Sequence, residues 1–375
     1  MRYYIIAGEA SGDMYGATLI RVLRHRDKHA EFRFWGGDAM AAEVCDAPVR
    51  HIRDLAIMGF VEVAVHLRSV LGNISFCKAD IERYSPDVVV GIDYPGFNLR
   101  IEQWAKEHGY STVHYISPNL WAWKKGRIKQ MRRSLDRLCY ILPFEETFFA
   151  ENDMPQAVYV GHPLLDEVNR QTATTRGGVP TIEADTSRPI VALLPGSRRQ
   201  ELKKSLPLMA ALAARHPEYR FVVAGMSLLG DTQYKKLLPA GSNVEVVYDK
   251  TYALLATAYA AVVCSGTATL ETALFGVPQV VCYRANAVSI AIAKAIVSHR
   301  INYISLVNLI ADSPIVTELL QEDFNLHRLE REFEKITSDA ANRERMQSEY
   351  ADMRTLLGDG GASQRTADEI IALIK

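Results

Sequence analysis

Most of what would mark this 375-residue chain as secreted, membrane-spanning or nucleic-acid-binding is missing from it. Its five cysteines (Cys45, Cys77, Cys139, Cys264 and Cys282) are odd in number and nowhere at C-x-x-C spacing. That argues against a disulfide framework or zinc site and for a reducing compartment. Neither sign of charge is in excess: 43 Lys and Arg against 44 Asp and Glu leave a formal net charge of −1. No nucleic-acid partner is therefore expected, and any anion site must be a local patch. The most apolar stretches, 253–264 and 285–297, are too short or are interrupted by Lys294, so neither should span a bilayer. Met1-Arg2 leads straight into an apolar run, and no signal peptide is expected. Internal repeats and low-complexity tracts are absent as well. A cytoplasmic protein, soluble or peripheral on a membrane, is the expectation.

The opening also lacks something it superficially promises. Tyr3-Tyr4-Ile5-Ile6-Ala7 reads as a strand and runs into the turn Gly8-Glu9-Ala10-Ser11-Gly12-Asp13. A pyrophosphate at this place needs G-x-G-x-x-G, so that backbone amides can approach it at a helix N-terminus. Here the spacing is G-x-x-x-G, and two carboxylates sit in the turn. They already suit a helix N-terminus and would repel phosphate. A neutral, hydroxyl-rich ligand such as a sugar fits better.

Short β-rich runs alternate with helical patterns up to about residue 300, after which the pattern turns helical. Strands are predicted at 3–7, 32–35, 88–92, 112–116, 138–142 and 158–160, then at 190–194, 220–224, 244–247, 261–264 and 279–282. Continuous apolar runs such as Val88-Val89-Val90-Gly91-Ile92 suit parallel strands covered on both faces. Residues 169–188 contain Thr-Ala-Thr-Thr, Gly-Gly and Asp-Thr-Ser without apolar period, and read as a linker. The predicted organisation is two Rossmann-like, doubly wound α/β domains, 1–168 and 189–345, facing a cleft at the carboxyl ends of their strands. A helical tail, 346–375, is expected to pack back on the first domain or across a homodimer.

Phosphate-competent turns occur in the second half. Ile190–Leu194 ends in Pro195-Gly196-Ser197-Arg198, where Gly196 permits close approach, Ser197 is a candidate N-cap and Arg198 can contact phosphate. An ordinary capped turn with solvated arginines is the competing reading. Val262-Val263-Cys264 runs into Ser265-Gly266-Thr267-Ala268-Thr269-Leu270-Glu271. Small residues there admit a diphosphate, and Glu271 is spaced for ribose hydroxyls unless it is merely an exposed helical acid. Two such turns in one half, and none in the other, place the donor nucleotide in the second domain.

Together these pieces resemble the GT-B glycosyltransferases, and within them the lipid-A-disaccharide synthase family. The resemblance spans nearly the whole chain: residues 7–13, Gly91-Ile92-Asp93 with Phe97-Asn98, Tyr159-Val160-Gly161-His162-Pro163, residues 194–198 and 265–271, Ser305-Leu306-Val307-Asn308, and Glu318-Leu319-Leu320-Gln321. Val307 departs from the family, which carries Pro before the Asn. The resemblance implies an inverting transferase of lipid A (lipopolysaccharide) biosynthesis. Its donor would be UDP-2,3-diacylglucosamine and its acceptor 2,3-diacylglucosamine 1-phosphate. The products would be a β(1→6)-linked disaccharide 1-phosphate and UDP, formed on the cytoplasmic face of the inner membrane without a cofactor. It also implies that Asn308, Glu318 and Gln321 face the donor, beside Gly196, Ser197, Arg198, Ser265, Gly266, Thr267 and Glu271.

Such a transfer needs one base, and Asp93, just past a buried strand and before Pro95-Gly96, is the first choice. Glu9 and Asp13 are rivals for that role, Ser11 and Asn98 candidate acceptor contacts, and a helix N-cap is the competing role for Asp93. No D-x-D pair occurs in the sequence, which favours Arg198 and helix N-termini over a metal as stabilisers of departing UDP. Activity is expected to persist in chelator. His162 could contact phosphate or serve as hinge structure, whereas His114 on a predicted strand reads as a core residue.

Lipid contact is expected at the unusually apolar 57–71, through Ile57, Met58, Phe60, Val61, Leu67, Val70 and Leu71, for which full burial is the alternative. Between 124 and 137 seven Lys and Arg stand against one Asp. There Lys125, Lys129, Arg132 and Arg133 share a helical face suited to anionic headgroups, next to Trp121 and Trp123. A related epimerase or N-acetylglucosaminyltransferase would need the UDP half but not these greasy segments. The acidic first turn disfavours a dehydrogenase, and the retained base and phosphate turns disfavour a non-catalytic scaffold.

Overall fold

The structure, a computed structural model, describes residues 1–55, 67–118, 126–173, 182, 188–284 and 302–375. Ile57, Met58, Phe60, Val61, Lys125, Trp121 and Trp123, the side chains of Leu67 and Val70, and most of the expected linker lie outside that description. The chain divides into two compact units, Met1–Glu167 with Asp359–Lys375, and Val168–Gly358.

The first unit runs β1 (Arg2–Ala7), α1 (Ala10–Arg26), β2 (Glu31–Gly36), α2 (Asp38–Val44), β3 (Arg50–His51), α3 (Ile52–Leu55), α4 (Leu67–Tyr84), β4 (Val88–Ile92), α5 (Pro95–Glu107), β5 (Ser111–Tyr115), α6 (Arg127–Ser134), β6 (Arg137–Tyr140), α7 (Glu145–Glu151), β7 (Ala157–Tyr159) and α8 (Pro163–Ala173), the last crossing into the second unit. Its seven strands pair in parallel in the order β3-β2-β1-β4-β5-β6-β7. Every residue of β4 is buried, as a strand covered on both faces requires.

The second unit follows with β8 (Ile190–Leu194), α9 (Arg199–Arg215), β9 (Arg220–Gly225), α10 (Asp231–Leu237), β10 (Glu245–Tyr248), α11 (Thr251–Leu255), β11 (Ala258–Cys264), α12 (Thr267–Leu274), β12 (Gln279–Tyr283), α13 (Leu306–Ala311), β13 (Thr317–Leu320), α14 (Leu326–Thr337) and α15 (Ala340–Leu357). Its parallel sheet has the order β10-β9-β8-β11-β12-β13.

Among the described residues eleven strands fall where the apolar runs predict them, and two do not follow from the pattern. β3 is a two-residue edge piece. β13 carries Thr-Glu-Leu-Leu, which reads as helix, yet pairing with β12 from Val280↔Thr317 to Tyr283↔Leu320 makes it a strand. Tertiary pairing overrides local preference there.

The division expected at 345/346 falls inside α15. That helix buries Met346, Tyr350, Met353 and Leu357 in the second unit, and Gln279 donates to the Tyr350 hydroxyl at 3.4 Å. Gly358, Gly360 and Gly361 then turn the chain in left-handed conformations into α16 (Ala362–Ile374), which belongs to the first unit. The Asp166 carboxylate accepts from the first amides of this helix, Gly361 at 2.5 Å, Ala362 at 3.3 Å and Ser363 at 2.9 Å. A carboxylate at a helix N-terminus satisfies donors that have no intrahelical partner.

Candidate active site

Strand order reverses once in each sheet, between β1 and β4 and between β8 and β11. The crevice outside such a reversal, at the carboxyl ends of the strands, is where open α/β sheets take ligands. Ala7 is the register partner of Ile92, and Leu194 of Val263. The turns after these four strands hold Glu9, Ser11, Asp93, Gly196, Ser197, Arg198, Ser265, Gly266 and Thr267.

In the first unit, Glu9 is the exposed N-cap of α1, and Ser11 is half-buried in its first turn. The ring of Tyr94 lies over Gly8, so that a Cβ there would come within 2.4 Å of it. Asp93 follows β4, half-buried. Its amide donates to the Tyr115 carbonyl at 2.8 Å. Asp93 and Tyr94 both have left-handed backbones, φ +47° and +49°, a conformation that non-glycine residues hold at a cost of about 1–3 kcal/mol each. Asn98 holds the turn in place: its Nδ2 donates to the Asp93 carbonyl at 2.7 Å and lies 3.3 Å from the carbonyls of Ile6 and Ile92.

Two expectations change here. Asn98, expected to contact the acceptor, is fully buried, because its amide is committed to tying β1, β4 and the Asp93 turn together. Asp13, expected as a rival base, is 5% exposed. Its carboxylate accepts from the amides of Gly37, Ala39 and Met40 at 2.6, 3.0 and 3.1 Å, closing the start of α2. Glu9 after β1 and Asp93 after β4 both reach solvent.

Behind the turn lies a fully buried pair. Glu102 Oε1 and His114 Nδ1 are 2.7 Å apart. The sequence offers a weak signal for it, since Asn98 and Glu102 stand four apart on α5 and so share a face.

The second unit treats its two turns differently. Glu201 Oε2 accepts from the amides of Ser197 at 3.0 Å and Arg198 at 3.2 Å. The N-cap of α9 is Arg198 rather than the expected Ser197. Glu201, three residues on, closes a capping box, so the amides expected to cradle phosphate are taken by the chain's own carboxylate. Arg198 itself stays exposed, its guanidinium 3.9 Å from Glu201.

At α12 the N-cap is Gly266, extended and exposed, and among the described residues no side chain caps the helix. A Cβ built on Gly266 meets nothing within 4 Å. An uncapped helix start with room before it is the natural seat for an anion. Glu271, half-buried one turn in, accepts from the Tyr252 hydroxyl at 3.1 Å.

Asn308 and Glu318, expected to face the donor, instead bind each other. Asn308 Nδ2 donates to Glu318 Oε1 at 3.0 Å and to the Val316 carbonyl at 2.9 Å. Glu318 also accepts from the amides of Ile304 and Ser305, both at 2.9 Å. They shape the segment ahead of α13. Gln321 has a left-handed backbone, φ +54°, and its carbonyl accepts from Arg284 at 3.3 Å.

Remaining candidates sort by exposure. Leu71 is 51% exposed. On α6, Ile128 and Met131 are buried while Lys129, Arg132 and Arg133 are exposed. Arg132 is partly engaged, with Asp153 at 3.7 Å. His162 is buried, its Nδ1 accepting from the Leu164 amide at 3.2 Å, and burial pushes the imidazole down to about 4. It is a neutral structural group rather than a phosphate ligand. Among the described residues no three His, Cys, Asp or Glu gather as a metal site, and no helix is long and apolar enough to cross a membrane.

Two parallel α/β units with polar turns at their strand-order reversals define a GT-B fold, and solved structures agree. The glycosyltransferase of kitacinnamycin is 17% identical with a TM-score of 0.64, covering 100% of this chain and 99% of its own. The UDP-GlcNAc 2-epimerase of Neisseria meningitidis is 13% identical with a TM-score of 0.68, covering 99% and 100%. At such identities the likeness concerns the fold alone. Sequence carries the rest. The lipid-A-disaccharide synthetase family model matches residues 3–374. The lipid-A-disaccharide synthase of Geobacter sulfurreducens is 34% identical over 100% of this chain and 97% of its own length, and that of Syntrophus aciditrophicus 37% over 99% and 97%. The chain belongs to the lipid-A-disaccharide synthase family, glycosyltransferases of lipid A biosynthesis.

Proposed function

We propose that the chain joins UDP-2,3-diacylglucosamine to 2,3-diacylglucosamine 1-phosphate with inversion, Asp93 acting as the base. The observation that carries this reading is the Asp93 turn: a half-buried carboxylate at the β1/β4 reversal, on strained backbone held by Asn98. In the proposed step Asp93 takes the proton of the acceptor 6-hydroxyl as that oxygen attacks the anomeric carbon. The bond from that carbon to UDP breaks, and its electron pair leaves on the diphosphate. A single displacement of this kind gives the β(1→6) linkage without a covalent enzyme intermediate.

The open start of α12, with Ser265, Gly266 and Thr267, is our choice for the diphosphate, and exposed Arg198 the cation that approaches it. Glu271, oriented by Tyr252, is assigned to the ribose hydroxyls. Glu9 and Ser11 are left to the acceptor sugar. Leu71, Lys129 and Arg133 are assigned to lipid and anionic headgroups of the inner membrane's cytoplasmic face.

Radiolabelled or coupled detection of UDP release tests the reading. Release should need both acylated sugars together. Turnover of UDP-GlcNAc without lipid would favour an epimerase instead, the activity named for the Neisseria protein of like fold.

A further inference from the structure

The Asp93 turn rests on a polar column with apolar residues packed about it. Val89, Val90, Val113, Ile101 and Ala105 are all fully buried. Among them stand Asn98 and Glu102 on α5 and His114 on β5, each also fully buried. Gly91, the register partner of His114, makes the room. A Cβ there would lie 2.1 Å from Glu102 Oε1 and 3.0 Å from the Asn98 Cβ. Among the described residues Glu102 Oε2, Asn98 Oδ1 and His114 Nε2 find no hydrogen-bond partner. Apolar residues of similar volume would serve stability as well or better, so packing does not account for this column.

We propose that Glu102 and His114 are positioning residues for the base, a buried, hydrogen-bonded carboxylate–imidazole pair behind the Asp93 turn that favours the Asp93 carboxylate when the ring carries its second proton. This rests on the reading of Asp93 as the base. Glu102 from α5 and Asp93 from the end of β4 are the charged groups that act on the ring. Its register partners on the flanking strands, Gly91 and Leu138, carry no charge. Burial alone would push the imidazole down, but the Glu102 carboxylate, its hydrogen bond, the charge of Asp93 and the Ile116 backbone together raise it. The coupling is reciprocal, as linkage requires. A protonated ring that feels Asp93 favours the Asp93 carboxylate by the same amount.

Two measurements test the pair. Glu102→Gln and His114→Gln should both move the acid limb of the pH–kcat profile upward, by about one unit, which is about a tenfold loss on the acid side. Rates should recover toward the parent at high pH, with KM little changed, whereas a merely structural role lowers the rate at every pH. Independently, Asp93→Asn should lower the titration midpoint of the His114 imidazole followed by NMR, a readout that needs neither turnover nor a change in the pair. An unmoved acid limb in the two pair variants, or an unmoved imidazole in Asp93→Asn, overturns the inference and leaves the base standing. An active Asp93→Asn enzyme removes the base itself and the role of the pair with it.

Discussion

The strand-order reversals of the two units share one topology, yet the second leaves one helix start open where the turns of the first are closed. Beyond β1 and β4 the turns are closed from within: Tyr94 covers Gly8, Asp13 takes three amides of the α2 start, and Asn98 clamps the Asp93 turn. Beyond β11 the start of α12 is uncapped and has open space before it. A parallel α/β scaffold offers helix N-termini at every such place. Which of them can receive a phosphate depends on whether the chain's own carboxylates have taken the amides first. The β8 turn makes the point within one unit, because Glu201 closes it while its neighbour stays open. Closure around Asp93 suits the proposed base, which must be held rigidly to act.

The largest effect should come from Asp93→Asn. Asparagine tolerates the left-handed backbone and leaves the Asn98 clamp intact, so only the base is lost. We expect kcat to fall by about 10²–10⁴ while calorimetry finds UDP affinity unchanged. A parallel loss of UDP binding would erase the separation of acceptor and donor duties between the units.

Acid should then distinguish the units. His162 is neutral in the fold, at about 4, against about 6.5 in the unfolded chain. Below pH 6.5 the unfolded chain takes up a proton that the folded chain refuses. Its contribution to stability is therefore full above 6.5 and drains away as pH falls toward 4, by about 3 kcal/mol in all. All four tryptophans (35, 104, 121 and 123) lie in the first unit, so denaturant melts followed by tryptophan fluorescence report on it selectively. His162→Gln should flatten the decline between pH 6.5 and 4, and an unchanged slope would assign that acid sensitivity to other groups.

Glycine substitutions sharpen the closed-versus-open contrast directly. Gly91→Ala puts a methyl group against Glu102 and should cost about 1–3 kcal/mol of stability by overpacking. Gly266 is extended at φ 163° with open space beside it. Gly266→Ala should therefore leave the melt within about 0.5 kcal/mol and weaken UDP about tenfold, near 1.4 kcal/mol. Equal losses of stability at both positions would mean that the α12 turn is as closed as the other.

The sequence made the strands, the parallel sheets and the turns at both reversals legible, because apolar runs and Gly-rich punctuation are local signals. Occupancy of amides is not local. Asp13 caps a helix that starts twenty-five residues later, at Asp38, and the hold of Glu318 on Ile304 and Ser305 depends on β13 pairing with β12. Neither is visible as spacing. Glu201 is legible, since an acid at the third helical position signals a capping box that competes with phosphate for amides of the turn Gly196–Arg198. Asp93 stood out as the acid after a buried strand, whereas the tie from Glu102 to His114 needed the register of β4 and β5.

The smallest effect concerns the exposed face of α6, where the two kinds of polar group again sit side by side. Lys129 and Arg133 are exposed, while Arg132 has Asp153 beside it. A basic residue near an anionic surface contributes about 1 kcal/mol, so Lys129→Gln or Arg133→Gln should each weaken binding to phosphatidylglycerol vesicles about fivefold at low salt. Arg132→Gln should do less, since its charge is already partly balanced by a carboxylate. Raising the ionic strength to 1 M shortens the screening length to about 3 Å and should erase the differences. Binding that ignores all three substitutions at low salt would show that this face serves the fold rather than a membrane surface.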